Sequence, residues 1–371
     1  MRIGINLLYL LPGIVGGTET YASGLLQGLA RVDSRDEFFL FMNRECADWP
    51  LPRANNFLRV ACPVTAVRRG QRYLFEQLHL PRWLKGHGVD VVHSLGYVGP
   101  LHPPCPAVVT LPDLNYKAVG HTLPLGKRLV LGFFSRRSAR RAEEVITLSN
   151  FSKDALCAGL GLPAGKVTVT YLGPRRGDAG GAREAAGTIL ERYGVTLPYL
   201  AAFAGGAVHK NIGRLLQAFA RLKDRFPHRL LLIGRPAADV QRRGFPAGVI
   251  ATGHVPAEHV LPLLSRADAV VLPSEYEGFG LPVLEAQQAG APLACSRAGS
   301  LPEIAGDAAL FFDPRSVSDM EEKVARLAGE PRLREELRQK GLANLRRFSW
   351  ERTAGDTLAV YRRAREAGGR E

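Results

Sequence analysis

Two glutamates in the second half of the chain have a spacing that could carry chemistry. Seven residues separate Glu277 from Glu285, and Gly278 and Gly280 lie between them. Glycine has no side chain, so the backbone can approach a ligand closely there, and a carboxylate accepts hydrogen bonds from hydroxyl groups. The pattern indicates a site that holds a polyol against the backbone. The alternative is an ordinary turn between a strand and a helix, with both glutamates in solvent.

The residues around this pair predict the elements that would position it. The apolar run Ala269–Leu272 is typical of a buried parallel strand, and Pro282 suits the first turn of a helix. The unpaired N–H groups of such a first turn attract an anion. A carboxylate beside them would repel a phosphate unless it binds hydroxyl groups of the same ligand. A nucleotide-sugar, which carries a diphosphate and several hydroxyl groups, satisfies both conditions.

A second glycine loop places a lysine at another predicted helix start. The strand predicted at residues 199–204 leads into Gly205 and Gly206, and Lys210 precedes a helix whose apolar residues recur every three or four positions. A lysine there destabilises the helix end by a few tenths to about 1 kcal/mol. A bound phosphate would reverse the sign, because a hydrogen bond to a charged group contributes about 1.5–3 kcal/mol. The loop therefore indicates a phosphate contact, although it is not a Walker loop.

The nine residues from Glu277 to Glu285 read Glu-Gly-Phe-Gly-Leu-Pro-Val-Leu-Glu. They resemble the signature of the retaining nucleotide-sugar glycosyltransferases of family 4, which have the GT-B fold. The resemblance covers most of the second half of the chain and scattered points of the first. It implies an α/β protein with two Rossmann-like, doubly wound domains that face each other across a cleft. It also implies a C-terminal helix that crosses back to the first domain.

The resemblance also implies a reaction. A hexose of mannose or glucose type would move from a UDP- or GDP-sugar to a glycan or lipid-linked acceptor, in the synthesis of cell-surface polysaccharide or glycolipid. Charge would build on the β-phosphate as the sugar bond breaks, and Lys210, the N–H of Gly280 and helix N-termini would stabilise it. No covalent nucleophile is evident. We therefore expect attack on the same face of the sugar, with the phosphate taking the acceptor's proton.

Particular residues take roles through the resemblance. Glu277 would bind the sugar and stabilise its oxocarbenium-like centre, Glu285 would bind ribose hydroxyls, and Lys210 would hold the diphosphate. Family members often carry an arginine in the lysine's loop, and His209 is the candidate to replace it here. The loop Ala298–Glu303 is implied to lie near the sugar. The other implied donor contacts are Gly16, Gly17, Asn211, Val255, Ser274, Gly278, Phe279, Gly280 and Leu281. Arg235 is a further candidate for contact with the base or phosphate, and it is equally well explained as a surface arginine.

The first half of the chain has its own glycine loop. Gly16 and Gly17 follow a strand predicted at Ile3–Leu7 and precede a helix. Taken alone, the loop is a tight turn, because it lacks the GxGxxG of a dinucleotide fingerprint. Its position matches a Gly-Gly loop that faces the cleft in the family, which is why both residues are candidate donor contacts.

Two polar residues follow predicted strand ends in the same half. His93 and Asp113 stand where parallel sheets bind ligands, although His93 is equally well explained as a hydrogen-bonded packing residue. Family members often have a His-Asp pair at Asp113, but Pro112 precedes it here. Asp113 is the catalytic candidate on this side, and His121 is the candidate replacement for the missing histidine.

The composition limits the partners. The chain has 371 residues, 46% of them apolar, which is enough for two globular domains. Lys and Arg total 49 against 35 Asp and Glu, and the net charge of +14 indicates an anionic partner: a phosphorylated substrate, an anionic lipid or nucleic acid. Neither a helix-turn-helix nor interleaved aromatic and basic residues are evident, so we expect no nucleic-acid partner.

The cysteines and the apolar runs indicate the compartment. The five cysteines have no paired spacing, which argues for a reducing compartment and against zinc. No Asp-x-Asp occurs, so we expect no metal and no cofactor other than the donor substrate. No apolar run approaches the roughly 20 residues of a membrane-spanning helix, and the N-terminus is more typical of a buried strand than of a signal peptide. We expect a cytoplasmic protein.

Strands alternate with helices in two blocks, which predicts two doubly wound domains. We expect an acceptor-binding domain at residues 1–172 with 349–371, and a donor-binding domain at residues 173–348. The linker between them is predicted within the glycine-rich segment Leu172–Thr196.

Two segments of the first domain, 68–85 and 127–141, combine arginines with apolar residues at helical spacing. Such helices can lie on an anionic membrane, or they can pack on the core with a solvated basic face. Because both segments belong to one domain of a basic protein, the two readings have about equal weight. The first reading places the protein on the inner face of the membrane.

Two other classes of protein compete with a glycosyltransferase. Another sugar-nucleotide enzyme of the same fold, such as an epimerase, would bind the same donor, whereas a phosphorylase would need a cofactor-bearing lysine that nothing marks. A non-catalytic binder of anionic membranes would explain the charge alone. Binding of a nucleoside diphosphate separates the enzymes from the binder.

Overall fold

The computed structural model describes residues 1–114, 125–175 and 177–368, apart from the side chains of Leu125, Lys127 and Ala179. The chain forms two compact units, Met1–Gly173 with Phe348–Glu371, and Pro174–Arg347. Each unit is an α/β layer structure around one parallel sheet.

The first unit is built on seven strands: β1 (Arg2–Asn6), β2 (Glu37–Met42), β3 (Phe57–Ala61), β4 (Val91–Ser94), β5 (Ala107–Thr110), β6 (Glu144–Thr147) and β7 (Val167–Val169). They are parallel, in the order β3-β2-β1-β4-β5-β6-β7. Central strands such as β2 and β4 are almost wholly buried, as expected where helices cover both faces of a sheet. The order reverses between β1 and β4, and doubly wound sheets bind ligands at the carboxyl ends of such strands.

The second unit has six strands: β8 (Tyr199–Phe203), β9 (Arg229–Ile233), β10 (Val249–Ala251), β11 (Ala269–Leu272), β12 (Leu293–Ser296) and β13 (Leu310–Phe312). Their order is β10-β9-β8-β11-β12-β13, again all parallel. The reversal lies between β8 and β11. The sequence pattern did not predict β12, because this strand is a run of only four residues, two of them small or polar.

The α-helices of the described residues run in chain order: α1 (Gly17–Val32), α2 (Arg69–Leu78), α3 (Leu80–Gly86), α4 (Leu125–Arg141), α5 (Asn150–Leu160), α6 (Ala179–Arg192), α7 (Ile212–Leu222), α8 (Ala238–Arg243), α9 (Ala257–Ser265), α10 (Leu281–Gln288), α11 (Leu301–Ala305), α12 (Val317–Gly329), α13 (Pro331–Leu345) and α14 (Trp350–Gly368). The apolar stripe predicted for α7 is buried, as expected for a helix lying on the sheet. No helix of these ranges is both long enough and apolar enough to cross a membrane.

Helix α14 packs on α1 in the first unit. Glycines make this contact close: a Cβ on Gly24 would lie 2.2 Å from the ring of Trp350, and one on Gly28 would lie 2.3 Å from the Trp350 carbonyl oxygen. Further along α14, the hydroxyl of Tyr361 lies 2.7 Å from Nδ1 of the buried His93. The predicted return of the C-terminal helix to the first domain is confirmed.

Most of the segment predicted as a linker, Leu172–Thr196, is helical. Helix α6 occupies residues Ala179–Arg192 and packs against α9 of the second unit. The connection between the units is therefore shorter than the composition predicted.

Candidate active site

The predicted anion site has the expected local geometry. Helix α10 begins at Leu281 directly after Gly280, whose φ of 94° lies in the left-handed region that favours glycine. Pro282 occupies the first turn, as predicted. A Cβ on Gly280 would lie 2.9 Å from the side chain of Leu301, so the turn also has no room for a larger residue. The loop before α10 therefore brings backbone to the start of a helix, where anions bind.

Lys210 and Glu277 form an ion pair beside this helix. The Lys210 ammonium lies 2.7 Å from Oε1 of Glu277, and their side chains are 21% and 14% exposed. Lys210 ends a short 3₁₀ turn that follows β8, and its methylene groups pass within 3.5 Å of the position a Cβ on Gly205 would take. The structure thus joins the residue predicted to hold a diphosphate to the residue predicted to hold a sugar.

The backbone of Glu277 is fixed by the loop that precedes α11. Ser300 donates two hydrogen bonds to the Glu277 carbonyl, from its backbone N–H at 3.1 Å and its hydroxyl at 3.0 Å. Gly299 has a φ of 59°, and a Cβ there would lie 2.6 Å from the Glu277 carbonyl oxygen and 2.7 Å from its nitrogen. The loop predicted to lie near the sugar therefore sets the position of the glutamate predicted to bind it.

His209 and Asn211 flank the lysine. His209 is buried, and burial together with the neighbouring Lys210 lowers the pKa of its imidazole, which is therefore neutral near pH 7 and offers a hydrogen bond rather than a charge. The Asn211 side chain donates to the carbonyls of Pro273 at 3.0 Å and Pro314 at 2.7 Å. These bonds fasten the lysine's loop to the chain that follows β11 and β13.

Glu285 is paired with an arginine that the sequence analysis did not single out. Only 4% of Glu285 is exposed, and its Oε1 accepts from Nε of Arg175 at 2.7 Å and from a terminal guanidinium nitrogen at 2.5 Å. The side chain of Gln288, one turn later on α10, donates to the carbonyls of Arg175 at 2.8 Å and Gly177 at 2.7 Å. The start of the second unit is thus tied to the helix that carries Glu285.

The remaining predicted donor contacts of this unit lie after strand ends on the same edge of the sheet. Arg235 follows β9 and is exposed, and Val255 follows β10 and is half-buried. A bridge between Gly234 and Gly253 holds these two loops side by side. Ser274 follows β11, and its carbonyl accepts a short hydrogen bond from the hydroxyl of Ser296.

A groove of about 490 Å³ opens between α7 and α8. Its lining includes Gly205 and Asn211 from the lysine's loop, together with Arg214, Asp239 and Arg243. Small-molecule sites often have volumes of this order. Of the predicted donor contacts only Asn211 lines this groove, so it lies beside the predicted site rather than in it.

The candidates of the first unit also follow strand ends. Gly16 precedes α1 with a φ of 58°, and no described atom lies within 4 Å of the position its Cβ would take. Gly17 is the first residue of that helix. Asp113 is half-buried, and its Oδ1 accepts a hydrogen bond of 2.6 Å from the hydroxyl of Tyr97, a residue with a φ of 64°.

His93 is a packing residue. It is fully buried, and its ring nitrogens lie 2.7 Å from the hydroxyls of Tyr361 and Thr110. Burial lowers the pKa of its imidazole to about 3, so it stays neutral. The alternative of a substrate contact is wrong for this residue. His121, the candidate replacement for the missing histidine, lies outside the described residues.

Comparisons with known proteins identify the family. Residues 15–173 match the family model described as Glycosyltransferase Family 4, and residues 197–343 match glycosyl transferases group 1. The O-antigen chain mannosyltransferase B of Escherichia coli is 30% identical over 266 residues, which cover 69% of this chain and 70% of that protein. The chain belongs to the family 4 glycosyltransferases.

Other comparisons agree with this glycosyltransferase assignment. The MMP alpha-(1->4)-mannosyltransferase of Mycolicibacterium hassiacum is 29% identical over 334 residues, covering 84% of this chain and 76% of that protein. Among solved structures, sucrose-phosphate synthase from Thermosynechococcus elongatus superposes with a TM-score of 0.75 at 18% identity, covering 99% of this chain and 100% of that one. Anabaena Alr3699/HepE in complex with UDP-glucose superposes with a TM-score of 0.71 at 16% identity, covering 97% and 100%. These likenesses confirm the predicted GT-B fold of two Rossmann-like domains.

Two partners of the glycosyltransferase's candidate residues, one in each unit, escaped the sequence analysis for different reasons. Arg175 lies 110 positions from Glu285 in a segment read as linker, and no local pattern predicts such a contact. Tyr97 follows β4 in a short loop, and nothing in its neighbours indicates the bond to Asp113. Among residues 1–114, 125–175 and 177–368 no cluster of three or more His, Cys, Asp or Glu has a metal-binding arrangement.

Proposed function

We propose that this glycosyltransferase is a retaining, metal-independent hexosyltransferase that uses a UDP- or GDP-sugar of mannose or glucose type. Its acceptor is a glycan or lipid-linked sugar in cell-surface polysaccharide or glycolipid synthesis. The ion pair of Lys210 and Glu277 at the start of α10 carries the proposal, because it joins a phosphate-binding cation to a hydroxyl-binding carboxylate at 2.7 Å. The names of two relatives, an O-antigen mannosyltransferase and an MMP mannosyltransferase, support the choice of sugar.

Donor binding exchanges the partners of this pair. The diphosphate takes the Lys210 ammonium, since a phosphate bears more charge than a carboxylate and can bind the helix N–H groups at the same time. Glu277 is then free to accept hydrogen bonds from the hydroxyls of the sugar. Glu285 accepts from the ribose, with its Oε1 already held by Arg175.

The chemical step breaks the bond between the anomeric carbon and the β-phosphate oxygen. The electron pair stays on that oxygen, where Lys210 and the first turn of α10 stabilise the developing charge. Glu277 stabilises the positive charge on the sugar ring. The acceptor oxygen bonds to the same face of the anomeric carbon, and its proton passes to the departing phosphate. Asp113 is the catalytic candidate of the first unit, where Tyr97 orients its carboxylate.

Thermal shift with UDP, GDP and ADP tests the donor site. A ligand that binds only the folded state raises its melting temperature, so one diphosphate should raise Tm in the wild type and fail to do so in Lys210→Ala. The matched control is Lys223→Ala, since Lys223 is an exposed lysine just after α7. Equal Tm shifts in Lys210→Ala and Lys223→Ala would mean that Lys210 does not bind the diphosphate. The absence of a Tm shift in the wild type with any diphosphate would overturn the proposal.

A panel of nucleotide-sugars then tests the reaction. Slow hydrolysis of one donor identifies the sugar, and product analysis of the anomeric configuration tests retention. Activity in excess EDTA tests independence from metals. Rapid loss of activity in EDTA that a divalent ion restores would show that the reaction needs a metal. The absence of an Asp-x-Asp motif would then be no guide to the mechanism.

We also propose that the enzyme binds the inner face of a membrane through segments 68–85 and 127–141. The observation is a cluster of large apolar side chains, on α2 and α4 and at Val67 just before α2, that are 45–68% exposed. The cluster comprises Val67, Leu74, Leu78, Leu129, Val130 and Phe133. The rings of Tyr73 and Phe134 stack with centroids 5.1 Å apart, which makes α2 and α4 one surface. Arginines on both helices, such as Arg69 and Arg136, are exposed and suit anionic lipid.

Co-sedimentation with vesicles measures this association. Vesicles of phosphatidylglycerol should bind the protein at low salt and release it as salt rises, and phosphatidylcholine vesicles should bind weakly. Leu74→Ser with Phe133→Ser should abolish binding, whereas Leu197→Ser, a change at an exposed leucine of the second unit, should not. Equal vesicle binding by the double variant and the control would mean that this surface does not contact the membrane.

A further inference from the structure

Helix α2 buries two charged residues beside Phe75 and exposes two leucines. Arg72 is 8% exposed and Glu76 is 1% exposed, whereas Leu74 and Leu78 of the same helix are 58% and 55% exposed. Surface helices normally bury leucine and leave charge in water. A buried charge requires a partner. Apolar packing alone therefore does not explain why this helix turns an arginine and a glutamate inward.

The inward pair lies at the point where the first sheet reverses its strand order. Oε1 of Glu76 accepts a hydrogen bond of 3.4 Å from the side-chain amide of Asn6, which also donates to the hydroxyl of Ser94 at 3.2 Å. Asn6 ends β1 and Ser94 ends β4, the two neighbouring strands between which the order reverses. Doubly wound sheets bind ligands at this place.

Both members of the pair have unused hydrogen-bonding groups. Nε of Arg72 and Oε2 of Glu76 are buried atoms without a hydrogen-bond partner among the described residues. They face each other at 3.8 Å, which is too long for a hydrogen bond. The Arg72 guanidinium makes no hydrogen bond to any described residue and lies over the ring of Tyr73, 4.6 Å from its centroid. A guanidinium has five N–H donors, so Arg72 retains donors that a ligand could use.

We infer that Arg72 and Glu76 form the subsite for hydroxyl groups of the acceptor sugar, an inference that rests on the transferase activity proposed above. A hydroxyl both donates and accepts, a guanidinium only donates, and a carboxylate only accepts. The adjacent pair therefore matches one hydroxyl, or two on neighbouring carbons of a sugar ring. A cation would be repelled by Arg72, and above about pH 7, where Glu76 is ionised, an anion would be repelled by Glu76.

The test compares Arg72→Met and Glu76→Gln with Arg362→Met, a change at an exposed arginine of α14 in the same unit. The probes are methyl α-mannoside, methyl α-glucoside and methyl α-galactoside, offered as acceptors with the donor that the hydrolysis panel identifies. Each subsite variant should raise KM for the methyl hexoside roughly 10- to 100-fold, the loss expected for one charge-assisted hydrogen bond. Donor hydrolysis without acceptor, and the thermal shift with nucleoside diphosphate, should match those of Arg362→Met.

Ligand-observed NMR measures binding of the same methyl hexosides without any donor, so it does not depend on turnover. Signals in the wild type and Arg362→Met that disappear in Arg72→Met and Glu76→Gln support the subsite. Glu76→Gln keeps the size of the side chain, so it provides the result if Arg72→Met does not fold. Binding or KM values that are equal in all four proteins overturn the inference while leaving the donor site intact. Failure of nucleotide binding and donor hydrolysis in the wild type is a separate result that overturns the proposed function.

Discussion

Replacing Arg175 with alanine should leave a buried carboxylate without its cation. Glu285 is 4% exposed, and both of its bonds to Arg175, at 2.7 and 2.5 Å, would be lost. Removing one partner of a buried ion pair costs about 3–5 kcal/mol. The Arg175 side chain is 24% exposed, which places the expected cost at the lower end, about 3 kcal/mol. In a unit of this size that loss corresponds to a fall in Tm of roughly 6–12 °C, measured by scanning calorimetry.

Two further variants make this prediction specific. Glu285→Gln combined with Arg175→Ala should recover part of the loss, because the remaining buried group then carries no charge. Arg214→Ala is the matched control: its partner Glu275 lies at 2.6 Å, but the two side chains are 40% and 38% exposed, and exposed pairs contribute about 0–1 kcal/mol. Equal losses in Arg175→Ala and Arg214→Ala, or strict additivity in the double variant, would refute the reasoning.

The structure also predicts the effects of three other substitutions. Gly299→Ala should lower Tm and weaken nucleoside diphosphate binding in thermal-shift assays, because the new Cβ would lie 2.6 Å from the Glu277 carbonyl oxygen. Glu76→Gln should raise the free energy of unfolding above about pH 7 but not near pH 4. Burial raises the pKa of Glu76 from 4.5 to about 7, so stability of the wild type falls as pH rises through this window, on the order of 3 kcal/mol in all. Gly24→Ala should destabilise the first unit by about 1–3 kcal/mol in urea titrations, because its Cβ would overlap the ring of Trp350.

Matched variants check each of these. Gly194→Ala also places a Cβ at positive φ, 64°, but with no described atom within 4 Å, so it should leave nucleotide binding unchanged. Gly355→Ala on α14 likewise meets no described atom, and should be neutral or stabilising, since alanine favours helix. For Glu76, a stability difference between wild type and Glu76→Gln that stays constant from about pH 4 to 8 would contradict the assignment of this titration.

Local patterns in the sequence predicted the parts of the site that depend on local structure. The left-handed turn at Gly280 and the helix start at Pro282 follow from residue type, because each type favours one backbone conformation. The apolar periodicity of α7 likewise determined which face is buried. These features depend on residues that are neighbours in the chain, so a local sequence pattern can predict them.

Contacts between distant residues were beyond this reasoning. Periodicity assigns Arg72 to a solvated basic face, but the structure buries it beside Glu76, which accepts a hydrogen bond from Asn6 on another element. Arg175 stands in a glycine-rich stretch, and only the packed helix α10 reveals its partner. His93 sits at a strand end typical of ligand sites, yet α14, 268 positions later, supplies the hydroxyl that occupies one of its ring nitrogens.

The discontinuity of the first unit has a consequence for biosynthesis. The core of the first unit includes α14, which packs against Gly24 and His93. The ribosome synthesises every strand of the first sheet long before it synthesises this helix. The second unit is continuous in the chain, so all of its residues leave the exit tunnel of the ribosome before α14 does. It is therefore able to fold before the first unit, contrary to the usual N-terminal order. Until translation reaches Trp350, the apolar surface of the first unit that α14 buries stays uncovered.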